Sequence, residues 1–191
     1  MIDLPYILIR ERIKTQVTAL KEVMYYLGQP DTNEDGELLF TTPAVFIRFD
    51  SIATHSLQPV MGLPNRQQAE IFFTVTLVDE TAYDDDKRIL DTTLNHIGKI
   101  NDIFLALQGW VGKLSDIPGN TALAGTNNDW IVCNPIDRKR MTTDHSVRGT
   151  IATAQQFVCI VNDLCALPVY TAAILNLQAQ LGLTIGYVPS I

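Results

Sequence analysis

One run, Glu70-Ile-Phe-Phe-Thr-Val-Thr-Leu-Val78, constrains this chain more than any other stretch. Nearly every position is β-branched or aromatic, a composition that crowds a helical turn and suits a pleated surface. Phe73, Val75 and Leu77 alternate with Thr74 and Thr76, while Ile71 and Phe72 enrich the start. The period of two predicts a strand. A second run, Pro43-Ala-Val-Phe-Ile-Arg-Phe49, predicts another, with its proline confined to the start. Between them, residues 51–68 hold Pro59, Gly62 and Pro64 without periodicity and are expected to form a long loop or flap.

Helical spacing flanks this pair. Ile9, Ile13, Val17, Leu20, Met24 and Leu27 recur every three or four residues and predict a helix over 5–27, with Asp3 as cap, Pro5 in the first turn and Gly28 as stop. The acidic stretch 79–86 is expected to open a second helix, where carboxylates complement the N-terminal dipole. Its apolar stripe reads Leu90, Leu94, Ile97, Ile100, Phe104 and Leu107, with Gly109 beyond the end. Residues 130–140 and 147–161 then form two β-rich runs around the polar turn Thr142-Thr-Asp-His-Ser146, a pattern that predicts a long antiparallel hairpin. Pro135 would have to sit at an edge or a bulge of that hairpin.

The order α–β–β–α–β–β lacks the alternation of single strands and crossover helices. It predicts an α+β fold, with an antiparallel or mixed sheet and two main helices on one face. That domain covers residues 1–163. The remaining 28 residues, Leu164–Ile191, carry no charged side chain and form a separate apolar C-terminal arm or extension. An exposed tail of this composition would aggregate, so something must cover it.

Charge narrows the function. The chain of 191 residues has 14 Lys+Arg against 21 Asp+Glu, a formal net charge of −7. Phosphate affinity comes from cations that displace counterions, and this chain is short of them. Its one basic run is Arg138-Lys139-Arg140, opposed by Asp79, Glu80 and Asp84-Asp85-Asp86. Cys133, Cys159 and Cys165 form no CxxC pair and leave one thiol over in any disulfide scheme. The start lacks a basic n-region and a small-residue cleavage site, which predicts no signal peptide and synthesis in a reducing cytoplasm. No run of about 18 apolar residues predicts a membrane span.

Reactive constellations are scarce. His55, His96 and His145 have no zinc-ligand spacing, and His96 is expected to border a packed helix face. Cys133 and Cys159 sit in strand-like runs, where a thiol behaves as a small apolar group. Asp31-Thr-Asn33-Glu-Asp35-Gly36 copies the first half of a calcium loop. The place of its bidentate Glu is taken by Thr42, followed by Pro43 and a strand, so a plain Asx-rich turn accounts for it. No glycine-rich phosphate loop or GxSxG is present. The expectation is a protein that is not an enzyme, with no cofactor and no metal.

The order of elements, with "PAVFIRF" after a polar loop, "QQAEIFFTVTLVDE" after a flap, a helix ending in "LQGW" and a late pair of strands, resembles the tail terminator and tail-completion proteins of long-tailed bacteriophages. The resemblance spans about residues 5–162 and is carried by Pro43–Phe49, Glu70–Glu80 and Leu105–Trp110. It implies a structural virion protein made in the host cytoplasm: a homo-oligomeric ring, a hexamer, at the head–tail junction. Its partners would be copies of itself, the tail tube protein and neck or connector proteins, and DNA would pass through unbound. Arg138, Lys139 and Arg140 on the hairpin are interface candidates, as are Leu167, Tyr170, Ile174, Leu175, Leu177, Leu181 and Tyr187 on the arm. The alternatives are a connector or stopper ring of the same neck, and a small soluble ligand-binding domain using the Asp31–Asp35 loop and His55.

Overall fold

The computed structural model describes residues 3–28, 39–56, 67–81, 86–119, 131–144 and 149–163. The fold is built on β3 (Gln67–Glu80), which the Glu70–Val78 pattern marked out. On one side it pairs antiparallel with β2 (Ala44–Ser56), and on the other with β7 (Thr150–Asp163), from Gln67↔Asp163 to Glu80↔Thr150. β1 (Glu22–Tyr25) adds a parallel strand outside β2. Beyond β7 lie β6 (Asp137–Asp144) along one stretch and β5 (Ile131–Cys133), then β4 (Gly112–Lys113), along another. The result is a mixed seven-stranded sheet. With α1 (Asp3–Gln16) and α2 (Asp86–Leu107), the class is α+β as expected.

Alternation sorts the side chains. Val45 and Ile47 on β2, Ile71, Phe73, Val75 and Leu77 on β3, and Phe157, Cys159 and Val161 on β7 face a single core. Leu8, Ile9 and Ile13 of α1 and Ile100, Ile103 and Leu107 of α2 close that core. Phe73 and Phe157 stack at its centre, with ring centroids 5.5 Å apart. On the opposite face, Ala44, Phe46 and Val78 form a smaller cluster beneath Met24, Tyr26 and Phe40.

Four boundaries depart from the sequence reading. The first helix stops at Gln16, not Leu27, and the residues beyond it form a turn and then β1. Val17 N–H still donates to the Ile13 carbonyl and its side chain packs in the same core, but Leu20 and Met24 fit a helical period by coincidence. In the fold Val23 enters the main core while Met24 and Tyr26 reach the other cluster, the period of two that a strand requires. Lys21 N–H donates to the Pro43 carbonyl and Arg10 Nε to the Val23 carbonyl, which ties β1 to both neighbours. Gly28, at φ +92°, therefore lies in the bend that follows β1 and not at the end of a helix.

Residues 51–56 and 67–68 of the expected flap 51–68 are strand, because β2 continues through Ser56 and β3 begins at Gln67; 57–66 lie outside the described residues. A bulge at Asp50 lets β2 carry on past Phe49, and its carboxylate accepts hydrogen bonds from Arg48 Nε and Thr74 Oγ1. Asp79 and Glu80 belong to β3, so they do not open α2. The third block also divides differently. Asn134-Pro135-Ile136 separates β5 from β6, and residues 142–144 extend β6 instead of forming a turn. Among the described residues no helix is long and apolar enough to cross a membrane.

Candidate functional site

The basic run was the first interface candidate, and β6 carries it. Arg138 pairs with Phe157 and Arg140 with Gln156, with Lys139 as the extra residue of a bulge. The two arginines therefore project to opposite faces of the sheet. Arg138 is half-buried: its guanidinium lies 3.9 Å from the Phe104 ring centroid and donates to Gln155 Oε1 at 3.2 Å. Its role is to fasten β6 to α2. Lys139 is paired with Asp137 at 2.6 Å, which, with Gln108, holds that carboxyl below its usual range. Arg140 is exposed. The triplet is split between three environments and forms no single cationic patch.

Beneath α2 lies a polar network that the sequence reading did not assemble. His96 is 1% exposed, and its Nε2 stands 2.9 Å from Thr153 Oγ1 on β7. Thr153 Oγ1 is in turn 3.1 Å from Thr143 Oγ1 on β6. Asp79 on β3 pairs with Lys99, and its Oδ2 is 3.7 Å from His96 Nδ1, too far for a hydrogen bond. His96 Nδ1 has no hydrogen-bond partner among the described residues. Burial works to raise the Asp79 carboxyl, but the adjacent His96 and Lys99 outweigh it and hold the group below its ordinary value.

Hydroxyl, imidazole and carboxylate in that order are the components of a nucleophile–base–orienter set. Thr153, however, is fully buried, so no substrate atom can reach its oxygen. The network anchors α2 to three strands. Its sequence signals were the misread Asp79 and a lone histidine beside an apolar stripe.

The apolar positions of α2 point two ways. Ile100, Ile103, Ala106 and Leu107 are buried, whereas Leu90, Leu94, Ile97 and Leu105 are 58, 55, 46 and 69% exposed. Three residues expected in the core, Leu90, Leu94 and Ile97, thus lie on an open flank. At 100° per residue, buried and exposed positions together sweep roughly 260° of the helix, more than twice what one contact requires. On the flank, Asn101 and Gly98 intervene, and Asp91 and Asp102 border it.

Elsewhere, an open cleft of about 200 Å³ runs between α1 and the segment after α2, lined by Arg12, Thr15, Trp110 and Asp116 among others. It is smaller than the roughly 300 Å³ at which small-molecule pockets begin. Cys133 and Cys159 are buried, and the neighbouring Cys159 thiol together with burial pushes Cys133 well above its ordinary value. Among the described residues no group of three His, Cys, Asp or Glu is arranged to hold a metal ion.

The Asp31–Asp35 loop, the His55 side chain, His145, Cys165 and the arm candidates Leu167, Tyr170, Ile174, Leu175, Leu177, Leu181 and Tyr187 lie outside the described residues. No protein-family model matches the chain, and no curated protein matches it.

Proposed function

We propose that this chain is a structural protein of a tailed-bacteriophage virion, a subunit of a homo-oligomeric ring that completes the tail and joins it to the head. The observation that carries this reading is the apolar flank of α2, where four large aliphatic side chains stand open to solvent in one row along a single helix. Scattered apolar residues on a surface are ordinary, but an aligned row marks a contact with another surface. A ring subunit needs two different complementary faces, because head-to-tail contacts close when the rotation fits.

The late antiparallel strands and the uncharged segment after Asp163, read as hairpin and arm, are the natural sources of the second face. The net charge of −7 favours a conduit that DNA traverses without adhering. A structural rather than catalytic role is supported by the burial of His96, Cys133 and Cys159.

Light scattering on the purified chain, alone and with tail tube protein, tests this. A closed oligomer, seen as a ring by electron microscopy, is expected. A chain that stays monomeric under both conditions overturns the reading. Labelled particles with the ring away from the tail end would move it to the connector or stopper position.

A further inference from the structure

We propose that the uncharged segment Leu164–Ile191 of a neighbouring copy lies along the α2 flank formed by Leu90, Leu94, Ile97 and Leu105. The inference rests on the ring reading and names the contact that would build it.

Three observations converge. The flank is a row, since residues 90, 94, 97 and 105 fall within about 80° of one another on the helix and extend about 22 Å along it. It is apolar and uncharged along its length, with Asn101 and Gly98 as the intervening residues, and Asp91 and Asp102 along one border would repel an acidic partner. The one long stretch of this chain that matches it is 164–191, which holds eleven Leu, Ile and Val but no Asp, Glu, Lys or Arg.

Reach is sufficient. The segment leaves β7 at Asp163, and extended it spans up to about 90 Å, well over the roughly 33 Å length of α2. The contact is placed between copies because flank and segment occur once each on every chain. Joined within one chain they would satisfy each other and leave no such contact to link copies. Joined between chains they form the heterologous pair that propagates around a ring.

The test uses full-length chains under conditions in which copies assemble. An affinity-tagged chain carries a photoreactive benzoylphenylalanine at position 94, an exposed site, and is co-expressed with untagged wild-type chain. Irradiation is expected to give a covalent tagged–untagged species, with the cross-linked peptide mapping to 164–191. Cross-links confined to one chain, or landing on another segment, overturn the proposal.

A Leu94→Asp/Leu105→Asp variant provides a second measurement. It is expected to keep the circular dichroism and melting behaviour of the wild type and to lose the oligomer. If the folded variant still forms rings, this contact is wrong while the ring reading stands. A wild-type chain that never assembles removes both.

Discussion

Asp79 and Lys99 show how one pair can hold an element. The carboxylate sits on β3 beneath α2, and both side chains are largely withdrawn from water. Lys99→Met would leave that carboxylate buried without its ammonium partner, at a cost of about 2 kcal/mol. Adding Asp79→Asn removes the stranded charge, so the double variant is expected to recover part of the loss in urea titrations. The pair also sets a pH dependence. Asp79 titrates below its ordinary value of 3.8 in the folded chain. Its contribution is therefore complete above that value and is lost as the pH falls through the lowered one. Urea midpoints of the wild type should drop more steeply below about pH 4 than those of Asp79→Asn. Phe157 makes a different kind of contribution, through packing. It is fully buried and stacked on Phe73, so Phe157→Ala is expected to cost about 3–5 kcal/mol by the same titration.

At the level of elements, α1 is fastened to α2 by Arg12. Its Nε donates to the Ala106 carbonyl at 3.0 Å, and its guanidinium lies over the Trp110 ring at 5.3 Å. Ala106 is in the last turn of α2, where carbonyls lack helical partners and positive charge is favoured. Lysine offers no planar fork to do both, so Arg12→Lys should lose about 1 kcal/mol, and Arg12→Ala somewhat more, in thermal or urea melts. The strands were legible because their signal is local: Glu70–Val78 and Pro43–Phe49 alternate within themselves, and what their pattern lacked was the bulge at Asp50 and the extensions of β2 to Ser56 and of β3 to Gln67 and Glu80. The end of α1 was not legible, because Val17, Leu20 and Met24 satisfy a period of 3.6 and only the pairing of Val23 with Val45 reveals the strand. α2 was legible as a helix but not in its orientation. Its apolar arc is wide enough to serve two contacts, and nothing within the helix says which half meets the sheet; Thr153 and Gln155, far along the chain, decide that by bonding His96 and the Ile100 carbonyl.

Across the whole molecule, stability should be graded from the centre of the sheet outward. β3 is paired along its full length with β7 and from Gln67 to Val78 with β2, and its alternate side chains are buried in the main core. The outer strands are less committed: β1 has four residues, β4 has two, and β6 is held by β7 on one edge. Amides open locally where few contacts must break, and only with global unfolding where many must. Native-state hydrogen exchange is therefore expected to be slowest at Phe73–Leu77 and at their partners on β7, at the free energy of global unfolding. β1 and β4 should exchange through smaller openings. The same measurement reads the surfaces proposed for assembly. In the isolated chain the first turns of α2, with Leu90 and Leu94 open to water, should exchange faster than its last turns around Ile103 and Leu107. On assembly that difference should shrink, because covering the flank removes the openings that expose it, while the β3 amides, already limited by global unfolding in the single chain, change only as far as assembly stabilises the whole subunit. Protection that rises on β1 or β6 but leaves α2 unchanged would instead mean that copies join edge to edge through their sheets.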